Sequence, residues 1–470
     1  MSSHKRDAEL GAEMSGAKFG DVRLSRRLSK VVDALSQAPG RSLPALFDDA
    51  GLEAAYRFFN NESVTPEAIL LPHIEKTVER MRLEPLTLVV HDTSTMQFNP
   101  DGARTGLGHI RSLGQGFLAH ISIALSGDGS RMPLGTLAMS TVVRTPKTKP
   151  TPKAKAEVPN EKNRWGQHVV DVRKSAGGSA CIVHLMDREA DDYGLFAQLT
   201  AAEERFVIRL HHNRQLESSD LGIRKLGDAL ERIVATAQRA VPLTERKLDK
   251  RSPSAKKIHP NRDERLATLA FGATTVTIQR PKNQPTKLAA TVTLNVVKVW
   301  EPAPPEGQAP ISWLLLTTEP VNTPEQLLQI TDWYRARWVI EEFFKALKTG
   351  CAYQGRQLET FDGLVNVLAT FMPIAWRMLR MRIQSRRDPE ADAETVLTAN
   401  MLDALQVATR IKLPKKPNAR QALLAVAALG GHQKQNGDPG WLTLSRGFEA
   451  LQMFTLGWCA AQGRAHQDDV

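Results

Sequence analysis

Apolar and polar positions change period along the chain. Over residues 21–36 apolar side chains recur at Val22, Leu24, Leu28, Val31, Val32 and Leu35, which is helical spacing. The opposite side carries Arg23, Arg26, Arg27 and Lys30, and Pro39-Gly40 ends the helix. Further helical stretches at 42–47 and 51–60 make residues 1–75 a small basic helical module. From residue 86 short apolar runs replace the helical period, as buried strands do. The first, 86–90, ends at His91-Asp92-Thr93-Ser94. The second, 117–125, closes on Gly127-Asp128-Gly129, a hairpin signal, and 132–143 is the third. After a helix over 167–174, a fourth run at 180–186 ends at Asp187-Arg188-Glu189-Ala190-Asp191. A helix at 193–202 and a strand at 205–210 follow. This order predicts an α/β fold: a mixed sheet with helices on its faces.

Residues 145–163 are a Pro/Lys/Thr-rich loop without periodicity. Residues 211–310 read as a mostly β insertion, with a basic segment at 246–265 and strand-like runs at 274–279 and 289–300. Another buried strand is predicted at 311–318. Thr323-Pro324-Glu325-Gln326 then opens a long helix, with Thr323 as N-cap, Pro324 at the first helical position and Gln326 completing a capping box. Running over 324–349 to Gly350, it would span about 39 Å at 1.5 Å per residue. The chain is helical again from about 358, and an acidic break at 388–394 sets off a C-terminal module. No internal repeat is visible. The expected units are 1–75, 76–370 and 371–470.

Composition narrows the partners. The chain has 470 residues, 41% hydrophobic and 24% charged, which is a globular balance. With 62 lysines and arginines against 51 acids its net charge is +11, which favours a polyanion, nucleic acid foremost. Cys181, Cys351 and Cys459 form no CxxC pair, which excludes a disulfide framework or a zinc ribbon. The first residues are polar and no apolar run reaches the length of a membrane span. A cytoplasmic protein without a membrane partner is expected.

If the first and fourth strands are parallel neighbours, Asp92 and Asp187 emerge at one sheet edge, where open α/β sheets bind ligands. Asp187 is preferred to Asp191 and Asp192 because it directly ends an apolar strand. On the long helix Tyr334, Arg337, Glu341, Lys345 and Lys348 share an arc of roughly 80°, whereas Glu342 points about 100° away. An ordinary exposed stripe with a Glu341–Lys345 pair is the plain alternative. Against it stand the two strand-end acids, since three converging carboxylates suit hard Mg²⁺ or Mn²⁺. Two such ions can activate an attacking oxygen and stabilise a leaving one at a phosphodiester.

The series Tyr334, Arg337, Glu341 and Lys348 resembles the Y-R-E-K signature of bacterial cut-and-paste DDE transposases of insertion sequences. Met186-Asp187-Arg188-Glu189-Ala190-Asp191, Asp92-Thr93-Ser94 and Ala55-Tyr56-Arg57-Phe58 resemble that family too, so the likeness covers nearly the whole chain. It implies a ribonuclease-H-like mixed sheet with helices on both faces, interrupted by the β insertion and flanked by helical modules. It also implies a catalytic, metal-binding triad of Asp92, Asp187 and Glu341 with two Mg²⁺, Mn²⁺ substituting. Phosphate contacts are implied for Tyr334, Arg337 and Lys348, with Lys345 beside them on the stripe.

Arg209 matches another DNA-contacting position, with a plain strand-end charge as the alternative. Trp313 matches a base-stacking position, with a core tryptophan as the alternative. Arg26, Arg27 and Lys30 are candidate DNA contacts or a solvated face. Lys147, Lys149, Lys153 and Lys155 are candidates for non-specific grip on DNA, and Arg377, Arg380, Arg382, Arg386 and Arg387 form a further basic run. His91 stands where a member of that family carries an acid, and His184, His211 and His212 also lie near the core acids; packing or hydrogen bonding is their expected role, with a third metal ligand as the alternative.

The implied activity is binding of terminal inverted repeats, nicking, hairpin formation and resolution, and strand transfer into target DNA. The implied assembly is a homodimer on paired ends, joined by the C-terminal helices. A catalytically silent end-binding regulator and another ribonuclease-H-like nuclease are the alternatives.

Overall fold

The computed structural model describes residues 10–99, 104–110, 114–144, 161–178, 180–217, 222–245, 261–433, 435 and 437–462. The loop lysines at 147, 149, 153 and 155, and most of the basic segment 246–265, lie outside them.

Five helices open the chain: α1 Leu10–Met14, α2 Val22–Gln37, α3 Leu43–Leu46, α4 Asp49–Phe59 and α5 Pro66–Met81. The periodicity of α2 is realised, since Leu28, Val31, Val32 and Leu35 are buried. Val22 is an exception at 62% exposure, because it occupies the first helical position, next to the Asp21 cap. Asp21 accepts the Arg23 N–H at 2.9 Å.

The sheet has ten strands: β1 Thr87–Phe98, β2 Gly108–Ile110, β3 Gly114–Ser126, β4 Pro133–Val142, β5 Ile182–Met186, β6 Phe206–Arg209, β7 Ala237–Leu243, β8 Arg265–Gln279, β9 Thr291–Trp300 and β10 Ser312–Thr317. β1 runs antiparallel to β3 and parallel to β5, and β5 runs parallel to β6. β4 pairs with β3 across the expected turn, where Gly129 has φ +91°. The order β4-β3-β1-β5-β6 is the ribonuclease-H-like arrangement. β1 is longer than its apolar run because pairing with β3 continues to Phe98, through the half-buried polar stretch Asp92–Thr95.

The insertion extends this same sheet. β7, β8 and β9 pair antiparallel in sequence, and β10 joins β9 to β6. The helices α6 Asn163–Ala176, α7 Tyr193–Ala201 and α8 Leu226–Glu231 accompany it. Both faces of β1 are covered. Val89 packs with Val78 of α5 and Val172 of α6, while Leu88 and Val90 belong to the other core, with Ile340 and Phe343.

The long helix is a correction. The Thr323–Gln326 capping box and Pro324 are present, but the segment divides into α9 Pro324–Ala336 and α10 Val339–Lys345, followed by a π turn Ala346–Gly350. Between them the N–H groups of Arg337, Trp338, Ile340 and Glu341 reach carbonyls three residues back, at 3.1–3.3 Å. This overwound stretch is followed by an underwound one, Cys351 N–H to Ala346 O at 2.7 Å. Such irregularities inside helices often mark working sites.

The chain ends in α11 Phe361–Arg387, α12 Ala399–Ala408, α13 Ala419–Leu429 and α14 Trp441–Ala461. The boundaries expected at 75 and 370 fall inside α5 and α11. Asn366 of α11 donates to the carbonyls of Phe59 and Val64 at 3.0 and 2.9 Å, and Trp376 donates to Pro133 at 3.0 Å. One apolar core therefore runs through both helical modules and the sheet. Among the described residues no helix is long and apolar enough to cross a membrane.

Candidate active site

The parallel β1–β5 pair ends at Val90 and Leu185. Asp92 and Asp187 each lie two residues further on, so the two carboxylates leave adjacent strands at the same edge. Asp187 also caps the turn after β5, accepting the Glu189 N–H at 2.8 Å. Glu341 comes from α10. Arg337, on the overwound link, donates to Asp92 Oδ2 at 2.9 Å and to Glu341 Oε1 at 2.7 Å. One guanidinium thus ties the strand acid to the helix acid across 245 residues of sequence.

The charge balance is unequal. Burial, then the Asp187 charge and, more weakly, Glu341 push Asp92 up to about 7, against Arg337 and the Thr93 N–H. Against its own burial, Arg337 is raised by Tyr334, Asp92 and Glu341. An all-oxygen donor set that holds one of its carboxyls this high fits a divalent cation, which would compensate the crowded negative charge. Asp92, Asp187 and Glu341 are the carboxylates that could hold it.

The rest of the predicted set divides. Lys348, in the π turn, donates to Ser94 Oγ at 2.7 Å, on the same face of β1 as Asp92, and its burial lowers its pKa. Tyr334 is buried, which raises its pKa, and its ring meets that of Trp313 edge-on at 5.9 Å. Trp313 is half-buried rather than a core residue, with the Arg209 guanidinium 5.9 Å from its ring centre. Tyr334, Trp313 and Arg209 therefore form one group beside the carboxylates.

Lys345 is exposed and pairs with Glu342 at 2.7 Å rather than with Glu341, which receives Arg337. Glu342 also receives Arg382 at 3.0 Å and the Trp441 indole at 3.1 Å, which ties α10 to the C-terminal helices. Asp191 is likewise internal: it pairs with Arg214 and accepts the backbone N–H groups of His211 and His212. Arg26 and Lys30 are exposed on α2, with Arg27 half-buried, and none of the three makes an ion pair among the described residues. In the α11 basic run, Arg382 serves Glu342 and Arg386 pairs with Asp438 at 2.8 Å.

Sequence reasoning missed Ser94, Arg164, His120 and His168. Arg164 of α6 donates to Thr93 Oγ1 at 3.1 Å and to Glu189 Oε2 at 2.7 Å. His91, His120, His168 and His184 cluster behind β1, where burial pushes all of them down, His168 to about 4. Their one signal is that His91 and Thr93 alternate with Asp92 and Ser94 along the strand and so face the other way.

Comparison with known families decides the class. Residues 8–64 match the transposase DNA-binding family, and residues 182–372 match the transposase DDE domain. The chain is a DDE transposase. The matched DDE span contains Asp187 and Glu341 and begins after Asp92. DDE transposases are DNA-binding enzymes that depend on metal, generally divalent cations. Among solved structures, the chain is similar to the piggyBac transposase synaptic complex with hairpin DNA, at 10% identity and a TM-score of 0.33. That likeness covers 81% of this chain and 78% of the other, and is too distant to carry an argument.

Proposed function

We propose that this transposase belongs to the Y-R-E-K branch of bacterial insertion-sequence enzymes, with Asp92, Asp187 and Glu341 as catalytic residues. The supporting observation is the Arg337 bridge between Asp92 and Glu341, beside the shared edge of Asp92 and Asp187. These three carboxylates would hold two Mg²⁺, with Mn²⁺ as substitute. Bound divalent ions supply Lewis-acid activation of the entering oxygen and stabilisation of the leaving one.

The side chains around the acids divide the remaining work. Tyr334, Arg337 and Lys348 hold backbone phosphates of the transposon end, and Arg337 leaves its carboxylate partners as DNA arrives. Water attacks phosphorus at the transposon end and the strand departs as a 3′-hydroxyl. That hydroxyl attacks the opposite strand, closing a hairpin and releasing flanking DNA. A second water opens the hairpin, and the regenerated 3′-hydroxyl joins target DNA. Trp313 stacks on an unpaired base during hairpin closure, with Arg209 against its face. Arg26, Arg27 and Lys30 grip the terminal repeat.

The active form is a homodimer on paired ends, assembled on nucleoid DNA in the cytoplasm. An exposed apolar strip on α12 and α14, with Val407 63%, Met453 53% and Phe454 53% exposed, supports a C-terminal dimer contact.

The test incubates the protein and Mg²⁺ with a DNA fragment carrying the inverted repeat that flanks its gene. Hairpin-ended product is expected, and Glu341→Ala should bind the fragment without cutting it. Binding without cleavage by the unaltered chain would leave a silent regulator. Sequence-independent cutting would leave a general nuclease.

A further inference from the structure

The back of β1 carries a hydrogen-bonded system that the reaction does not use. His91 and Thr93 flank Asp92 in sequence and face away from it. His91 Nε2 lies 2.9 Å from His184 Nδ1 on β5, and His91 Nδ1 lies 2.8 Å from Ser122 Oγ on β3. Ser122 Oγ also meets His168 Nδ1 at 2.7 Å, and His168 Nε2 meets Ser140 Oγ on β4 at 2.8 Å. At the other end His184 Nε2 lies 3.6 Å from Glu204 Oε2, longer than a hydrogen bond but with a carboxylate as its nearest charge.

Counting donors and acceptors allows this chain to run in either direction, and the carboxylate at its end sets which, because a lone pair facing it would be repelled. A neutral imidazole has one N–H and one lone pair. Glu204, ionised and paired with Arg173, can only accept. His184 therefore presents Nε2–H to it and accepts at Nδ1 from His91 Nε2–H. His91 Nδ1 then accepts from the Ser122 hydroxyl. Ser122 accepts from His168 Nδ1–H, and His168 Nε2 accepts from Ser140. Every group from His184 Nδ1 to Ser140 is used once, with no conflict.

A second link lies on the other side of Asp92. Arg164 donates to Thr93 at 3.1 Å and to Glu189 at 2.7 Å, and the Thr93 hydroxyl meets His120 Nδ1 at 2.9 Å. Both neighbours of Asp92 are thus tied to the strand or loop that carries Asp187: His91 to His184 before it, Thr93 through Arg164 to Glu189 after it.

We propose that these two links are a positioning device that sets the spacing of Asp92 and Asp187 from behind the sheet. His91, Ser122, His168 and Arg164 are positioning residues, acting through the aspartates rather than touching DNA. Antiparallel pairing holds β1 to β3 along its whole length, but the parallel β1–β5 pairing stops at Val90 and Leu185, before either aspartate. Beyond that point the Thr93–Arg164–Glu189 link joins the two strands, and the His91–His184 bond braces the end of the paired stretch.

The inference rests on the metal-site reading above, so its test measures metal binding directly. Mn²⁺ is titrated into the full-length protein without DNA, followed by calorimetry and by the Mn²⁺ resonance signal. Ser122→Ala and Arg164→Ala should each weaken Mn²⁺ binding about tenfold, as loss of groups behind a metal site typically does. End-DNA affinity at low Mg²⁺ should stay within about twofold. Unchanged Mn²⁺ affinity in both variants would overturn the inference, provided Asp92→Asn abolishes binding. If Asp92→Asn also changes nothing, the metal-site reading itself fails.

A second measurement needs no variant. In protein with ¹⁵N-labelled histidine, His91 and His184 should carry Nε2–H and His168 Nδ1–H. The opposite tautomer at one or two of the three would break the chain, whereas at all three it would keep the bonds and reverse their direction. His91, His120 and His168 also bring ring nitrogens within 4.8 Å of one another. A stoichiometric transition metal purifying with the protein would overturn the inference too, since it would take the lone pairs that the hydrogen bonds use.

Discussion

The two faces of β1 solve the same problem in opposite ways. Both are polar, and both lie deep in the sheet. Behind the strand His91 and Thr93 find partners within the protein, and their neutral groups pair donor to acceptor. In front, Asp92 and Ser94 meet Arg337 and Lys348, and the acid is still pushed up to about 7 by burial and by Asp187. A buried neutral network in which most polar atoms are paired, all but His120 Nε2 and His184 Nε2 among the imidazole nitrogens here, contributes rigidity, whereas an under-compensated charged one stores affinity for a ligand. One strand, by alternating its side chains, supplies a rigid back to a front that wants cations.

The largest effects should fall on the front face. Asp187→Ala or Glu341→Ala should lower strand cleavage on the order of a thousandfold in a gel assay, with end binding retained. Arg337→Ala should come next. It leaves Asp92 and Glu341 without their shared cation, and removing one partner of a buried pair costs roughly 3–5 kcal/mol. Melting in chelator should fall, and Mg²⁺ should restore part of the loss. If melting is unchanged with and without Mg²⁺, the bridge has no energetic role.

Asp92→Asn should move stability the other way. The folded carboxyl titrates near 7 against an ordinary 3.8, so between those values the folded chain holds more protons than the unfolded one. Stability then falls as pH rises through that window, and the full penalty is present above pH 7. In chelator at pH 8 the variant should melt a few degrees higher than the unaltered protein, with no gain at pH 4. Ser122→Ala, behind the strand, should melt lower in chelator at both pH values, by about 1–3 kcal/mol, because it strands two buried imidazole nitrogens. The smallest effect belongs to Lys345→Ala, whose exposed pair with Glu342 should contribute less than about 1 kcal/mol. A tenfold loss of cleavage there would show that Lys345 contacts the DNA instead.

Much of the front face was legible from residue order. An apolar run ending in an acid marks a buried strand delivering a carboxylate, and Asp92 and Asp187 both obey that rule. Thr323, Pro324 and Gln326 announce the start of α9 by local capping chemistry. The break after Ala336 was not legible, since no Gly or Pro stands there. The Arg337 side chain is held instead by carboxylates from β1 and α10, which is tertiary information. For the same reason α10 brings Glu341 to the Arg337 bridge with Asp92 although the uniform helical wheel behind its choice does not exist. The histidine network was illegible because its members come from four strands, one helix and a loop, and no local pattern unites them. The insertion was readable as β, but its union with the core sheet depends on β10 pairing with both β6 and β9.

The central claim is that Asp92, Asp187 and Glu341 form one cation site. Mn²⁺ binding to the DNA-free protein, measured side by side for Asp92→Asn, Asp187→Asn, Glu341→Gln and Glu342→Gln, tests it most directly. The first three variants should lose the tight site, and Glu342→Gln should keep it. Full Mn²⁺ affinity in any one of the first three variants would contradict that claim.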